Sequence, residues 1–509
     1  MFKKTSSEVQ LSLFTSPEQI MSSTALKMYN DPHSWHNMFY ENVTKTINED
    51  VFRPLFSETM GTPSKSLRII VAMIVIKEGL GISDEMLYNE CNFNLLFRRA
   101  LGIRNLDDDI VCLATYYNFR RKVLAYDAKM GTDLMKDCMS ENTQHYLTKF
   151  DISGAVIRMD SKLISSNIAW FGRYVLVHKI LCREIDKYLS SLNPSLIDQV
   201  NEIKELDAEK ECYVNNKETI SQKFANLGLL IKKILTEANV GEDDLLRRVF
   251  NEQFTCSHGI AVAKDNKDIP ADSIQSPYDT DATYRKKGEQ EVKGFSVNVA
   301  ETVEENKPNI ITAVQVMPAT AADNQYLQDA VTDTEEITGN NVTNIYADGA
   351  YQSEPNRQFC EANGTTLTTC GIQGRPGRYQ YEFDDKKNEL HVTDTTTGET
   401  YVAVKAKKNW KFIDSNGELH RVTQKEIDSY QLRKKINATP ASELNIRNNI
   451  EAAMFQISFH TRNNKTRYRG LGKHKLLFYA RSMWMNFRRA LIFELKEQAT
   501  TNQRTLAIC

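Results

Sequence analysis

The chain has 509 residues and a mass of 58.3 kDa, enough for about three ordinary domains. Hydrophobic residues make up 41% and charged residues 26%, which excludes wholesale disorder and allows a sizeable core. With 64 Lys and Arg against 66 Asp and Glu, the net charge is −2; a uniformly basic coat is excluded, but local segregation of charge is not.

The opening residues Met1-Phe2-Lys3-Lys4-Thr5 are polar where a signal peptide needs an apolar stretch. The most apolar run, Leu67 to Ile76, is interrupted by Arg68 and reaches only half of the ~20 residues a membrane span requires. Nine cysteines (91, 112, 138, 182, 212, 256, 360, 370, 509) are scattered without paired spacing, as suits a reduced compartment. The expectation is a soluble cytoplasmic protein with no membrane partner.

Residues 1–150 read as an all-α N-terminal domain. Leu67, Ile70, Val71 and Ile74 recur at helical spacing until Gly79-Leu80-Gly81. Ser83-Asp84 caps a second helix, and Asn92 or Asn94 a third that carries Arg98 and Arg99. This allows either a helix-turn-helix or an ordinary bundle with a solvated basic face. A further helix over Tyr116–Tyr126 carries the basic cluster Phe119-Arg-Arg-Lys122.

From Ile152 the period changes to two, with Ala155, Ile157 and Met159 alternating with Val156, Arg158 and Asp160. A charged helical insertion is expected over 175–255, broken by Asn193-Pro194 and Gly241. Strands follow over Gly294–Thr302 and Ile310–Met317, a helix over Asp323–Ile337, and a strand over Val342–Ala347 that ends at Asp348-Gly349. Residues 371–425 read as a β-rich insertion. Gly374-Arg-Pro-Gly377 opens it, Tyr379, Tyr381 and Phe383 alternate, and turns at Thr397-Gly398 and Asn416-Gly417 separate short strands. Helix resumes from Glu426 past Ala490, leaving 496–509 as a C-terminal tail.

Three acids stand out by context. Asp160 lies at the end of the first strand, Asp348 directly follows another, and Glu451 lies one helical turn after Arg447, on the same face. Any three of 66 acidic residues form a triad on paper, so spacing alone does not choose these. If they meet, an all-oxygen site favours Mg²⁺ or Mn²⁺ over zinc. Two such ions, ~3.5–4 Å apart, serve in-line phosphoryl displacement. Beyond Glu451, residues 461–489 hold nine Lys or Arg and no Asp or Glu. Such one-signed charge suits a polyanion, and Arg467, Arg469, Lys473 and Lys475 are the candidates for phosphate contacts on double-stranded DNA. Trp410, flanked by Lys407, Lys408 and Lys411, is either a base-stacking residue or a core residue of a small sheet.

Five segments together resemble the DDE transposases of bacterial insertion sequences. They are Arg158-Met-Asp160-Ser-Lys162; Ser276-Pro-Tyr-Asp-Thr-Asp-Ala-Thr-Tyr-Arg285-Lys-Lys-Gly288; Pro318-Ala-Thr-Ala-Ala-Asp323-Asn324; Tyr346-Ala-Asp348-Gly-Ala-Tyr351; and Arg447-Asn-Asn-Ile-Glu451 with Arg467-Tyr-Arg-Gly-Leu471. The resemblance runs over most of the chain.

It implies an α+β, α/β fold: an RNase H-like catalytic core with a mixed sheet over 151–495, interrupted by the helical and β-rich insertions. It assigns Asp160, Asp348 and Glu451 as catalytic metal ligands, with Arg447 in the place of the family's signature arginine. The implied activity is divalent-metal cleavage at the element's terminal inverted repeats, then transfer of the 3′-hydroxyl to target DNA. A homodimer in the synaptic complex and a nucleoid-associated location also follow. Two positions depart from related branches: Leu444 stands where they have Tyr, and Ser458 where they have Lys. A DNA-binding descendant that has lost catalysis, and a nuclease that hydrolyses without joining, are the competing readings.

Overall fold

Strand β1 (Val156–Ser165) forms where the period-2 pattern begins, and it becomes the middle of a six-stranded sheet. The computed structural model describes residues 1–5, 15–257, 260–371, 375–384 and 389–508. Gly374 and Cys509 lie outside them.

After β1 come β2 (Phe254–Ser257) and β3 (Ile260–Ala263), which pair only with each other. They are followed by β4 (Thr283–Lys287), β5 (Gln290–Thr302), β6 (Ile311–Pro318), β7 (Asn344–Ala347) and β8 (Thr366–Thr369). The main sheet runs β6-β5-β1-β7-β8, with β4 beside the first residues of β5. β5 is antiparallel to β1, β6 and β4, whereas β7 is parallel to β1 and β8 parallel to β7. β5 lies so close to β1 that a Cβ on Gly294 would stand 2.2 Å from the carbonyl oxygen of Ile164; only glycine fits there.

The β-rich insertion is a separate antiparallel sheet. It contains β9 (Tyr379–Asp384), β10 (Glu389–Asp394), β11 (Thr400–Lys405), β12 (Trp410–Ile413) and β13 (Leu419–Val422), ordered as in the chain. Gly398 and Gly417 take positive φ at its turns. The helical insertion also has its own core, built by helices Arg173–Glu184, Pro194–Glu205, Lys217–Glu237 and Leu245–Gln253. Asn193 caps the second of these, with Pro194 in its first turn.

The largest apolar cluster runs across position 150. Helix Leu67–Leu80 is buried from Ile70 to Gly79 and packs along helix Leu471–Ile508. A Cβ on Gly79 would meet the Trp484 ring at 2.1 Å, so the two helices touch where the smallest residue faces the largest. The last helix also packs against helix Leu134–Lys149 and β6. N-terminal helices and sheet thus share one core. Helices Asp84–Phe93 and Leu95–Ala100 follow, capped by Ser83 and Asn94. The basic residues of the third are turned inward. Arg98 is buried and donates to the carbonyls of Asn105 and Asp108, while Arg99 pairs with Glu18 at 3.0 Å.

The final helical region is broken where the sequence pattern suggests continuity. Helices Gln424–Ala438, Ala441–Asn448 and Ile450–Ile457 precede a non-helical stretch over 458–470. There, Asn463 and Asn464 adopt φ of 52° and 56°, and the segment pairs with the end of β1. The 496–509 tail continues the last helix as far as Ile508. Among the described residues all eight cysteines are free, and no helix is long and apolar enough to cross a membrane.

Because the Trp484 ring fills the space at Gly79, Gly79→Val should overpack this contact. The expected loss is about 1–3 kcal/mol, read as a lower urea midpoint. An unchanged midpoint would show that the two helices are not held this closely.

Candidate active site

Alternation along β1 sends odd residues one way and even residues the other. Ile157 and Met159 enter an apolar layer with Leu327, Val331 and Ile345. Arg158, Asp160 and Lys162 point to the opposite face, and each meets the segment that carries Arg447 and Glu451. Arg158 donates to the carbonyl of Ile446 at 3.1 Å. Asp160 accepts from Arg447 at 2.6 Å. Lys162 donates to the carbonyl of Met454 at 3.2 Å and to the Ser458 hydroxyl at 2.7 Å. Arg158 is itself held by Glu301 directly across the strand pair, at 2.6 Å, and Glu301 also pairs with Arg489 at 2.7 Å.

The second acid is fixed by the parallel pairing. Arg158 lies opposite Tyr346, so two residues further on Asp160 and Asp348 flank each other as β7 ends. Asp348 caps the turn Gly349–Tyr351 and accepts from the Gly349 amide at 2.6 Å. Glu451 arrives by a different route from the expected single helix. Helices Ala441–Asn448 and Ile450–Ile457 meet at Asn449, which keeps right-handed helical angles, so the i, i+4 relation survives the joint. Arg447 reaches Glu451 at 2.9 Å and Asp160 at 2.6 Å, bonding two of the acids at once.

Asp348 completes the group electrostatically, its charge acting on both Asp160 and Arg447. Burial pushes Asp160 up to about 6, against the lowering by Arg447 and the Ser161 amide, and the charges of Glu451 and Asp348 add to the rise. Burial lowers Arg447, but the three carboxylates more than offset it and leave the guanidinium raised. Its Nε is buried without a hydrogen-bond partner. The guanidinium stands between the acids, whose oxygens do not close up as a trio. Among the described residues, the trio of potential ligand atoms within 4.8 Å of one another is Asp414, Glu418 and His420, in the β-rich insertion. Donor chemistry at the triad is all oxygen, which fits Mg²⁺ or Mn²⁺.

The other candidates fall in different places. Arg467 donates to the carbonyls of Gly81 and Ile82 beyond helix Leu67–Leu80. Arg469 donates to the Asn167 carbonyl at 2.6 Å and lies over the Tyr278 ring. Lys475 pairs with Asp133 at 3.0 Å, and Lys473 is exposed. Trp410 is 6% exposed, inside the small sheet's core with Phe412 and Val422. That is the core role set beside stacking in the sequence.

Residues without an assigned role turn out to hold the site. Ser161 donates to Asp323 at 2.8 Å, and Tyr351 donates to Asn298 at 2.6 Å. Asp281 accepts from the Leu471 amide at 3.1 Å, at the start of the last helix, and buried Asp279 accepts from Ser166. Ser161, Asp279, Asp281, Asp323, Tyr351 and Leu471 fall in the segments that carry the resemblance, whereas Asn298 and Ser166 do not.

Residues 28–122 match the family model described as Transposase domain (DUF772). Neither curated proteins nor solved structures gave a match. The family match supports a transposase in general terms, and it falls on the N-terminal helices rather than on the acidic site.

Asp160 carries a pH dependence with a definite sign. Its folded value of about 6 lies above the ordinary 3.8, so the folded state binds the proton more tightly, and ionisation costs stability as pH rises through this window. Asp160→Asn is neutral at every pH and escapes that cost. In metal-free buffer the variant should be more stable than the parent at pH 8, by about 3 kcal/mol, with most of that difference gone at pH 4. A less stable variant at pH 8 would contradict the burial argument.

Proposed function

We propose that this chain is a divalent-metal-dependent DDE transposase with an RNase H-like core, which cleaves DNA at the ends of an insertion sequence and joins the 3′-hydroxyl ends to target DNA. The observation that carries the proposal is that Arg447 donates to both Asp160 and Glu451 beside Asp348. Arg447 and Glu451 are one helical turn apart, but Asp160 and Asp348 come to them from distant parts of the sequence. The RNase H-like reading is supported by the order β6-β5-β1-β7-β8, three antiparallel strands followed by two parallel ones. The first acid lies on the first of these strands, the second after the fourth, and the third on a helix packed against β1. The match of residues 28–122 to a transposase domain points the same way.

On this reading Asp160, Asp348 and Glu451 would hold Mg²⁺ or Mn²⁺, two ions in all, and the bound ions would supply the positive charge that in-line phosphoryl displacement needs. Arg447 positions Glu451 and presents a planar fork suited to a phosphate. Lys162 adds a second cation on the same face. Its ammonium rests on Ser458, the position at which related branches carry their own lysine. Asp160 is half-buried, and substrate covering the site would exclude the remaining water from it. Duplex DNA is the partner, in a homodimeric synapse, with exposed cations such as Arg462, Lys465, Arg469 and Lys473 available to phosphates.

Asp160→Asn, Asp348→Asn and Glu451→Gln should each abolish Mg²⁺-dependent cleavage and joining of a terminal-repeat duplex, leaving its binding in EDTA unchanged. Metal-dependent cleavage surviving in any of the three would remove the assignment. Cleavage by the parent without joined product would make the chain a nuclease. Arg447→Lys keeps a charge but loses the fork, and should slow cleavage by about 10–100-fold while the melting temperature holds. Equal losses of activity and stability would give Arg447 a structural role only.

A further inference from the structure

Beyond the C-terminal end of β1 lies a cationic cavity of about 400 Å³, lined by Trp170, Lys293, Arg462 and Lys465. Its walls are fixed by backbone pairing. The Ser165 amide donates to Asn464, and the Thr466 amide donates back to Ser165 at 3.0 Å. The left-handed Asn463-Asn464 turn therefore presents Arg462 and Lys465 from a stitched frame. Lys465 also donates to the Ile168 carbonyl. The single acid on the rim, Glu291, is paired with Lys286 at 3.2 Å.

Trp170 distinguishes this cavity from a patch of surface lysines. Of the chain's four tryptophans it is the exposed one, at 56%, whereas Trp410 and Trp484 are buried and Trp35 is half-buried. Lys293 lies 4.6 Å from its ring centroid, and Tyr284 meets it edge-on. The indole is thus held in place by a cation and an aromatic edge, with much of its surface open to solvent. Burial lowers Lys293, as expected for an ammonium set into such a wall.

A fixed indole beside three cations fits a nucleotide whose base stacks and whose phosphate is neutralised. A paired base in a duplex has both faces covered, so the ligand must offer an unpaired base. We propose that this cavity binds an unpaired nucleotide of DNA, with its base on Trp170 and its phosphate among Lys293, Arg462 and Lys465. The inference rests on the DNA-processing function proposed above. Ser165 is five residues past Asp160 on β1, about 17 Å, or the rise of about five nucleotides. The cavity would hold a flanking or displaced strand outside the catalytic centre.

The test uses the full chain in EDTA, with a blunt duplex and the same duplex bearing a short single-stranded overhang that carries 2-aminopurine. Trp170→Ala should weaken binding of the overhang duplex about tenfold and remove the quenching of 2-aminopurine, with blunt-duplex affinity and melting temperature unchanged. Trp170→Phe should keep most of both signals, and Lys293→Met should flatten the salt dependence on the overhang duplex alone. Overhang binding and quenching that survive Trp170→Ala, or an equal loss on both duplexes, would overturn the inference while leaving the DNA-processing reading standing. A parent chain that binds neither duplex would remove that reading and the inference with it.

Discussion

The site depends on the polar face of β1. Arg158, Asp160 and Lys162 succeed one another at strand spacing, and each bonds to the helical segment that brings Arg447 and Glu451. One acid is therefore carried by the same strand that fastens the helices bearing the third. Arg158 is pinned by buried Glu301, and Glu301 by Arg489 from the last helix. A buried ion pair contributes little to net stability, but losing one partner is costly. Such a network fixes geometry more than it adds stability.

Charge explains the arrangement around Arg447. Three carboxylates brought together in a half-buried pit repel one another unless a cation intervenes. In this structure the guanidinium fills that role, bonded to Asp160 and Glu451 and acting on Asp348. Asp160 still stays up to about 6 because burial outweighs the attraction.

Much of this was legible in the sequence, for physical reasons. β1, β5, β6 and β7 alternate or run apolar because one or both of their faces are buried, and the turns of the β-rich insertion are written in Thr-Gly and Asn-Gly pairs. β4, with sequence Thr-Tyr-Arg-Lys-Lys, and β8, Thr-Leu-Thr-Thr, are polar edge strands, so periodicity does not mark them. The break over 458–470 was hidden because it is set by long-range pairing of Asn464 and Thr466 with Ser165, not by local propensity. Arg467 and Lys475, legible only as a basic run, are engaged by Gly81, Ile82 and Asp133, which are distant in sequence. Trp410 has lysines beside it in sequence, whereas Trp170 meets its lysine, Lys293, only in the fold.

A shared core makes the N-terminal helices part of the frame that holds the sheet. The last helix packs on helix Leu67–Leu80, on helix Leu134–Lys149 and on β6, so the region matched as a transposase domain buttresses the sheet that carries Asp160. The most direct measurement is anomalous scattering from crystals equilibrated with Mn²⁺. The account predicts manganese peaks bounded by the carboxylates of Asp160, Asp348 and Glu451, with Arg447 turned away from Asp160. Saturating Mn²⁺ with no peak there, and Arg447 still bonded to both acids, would contradict it.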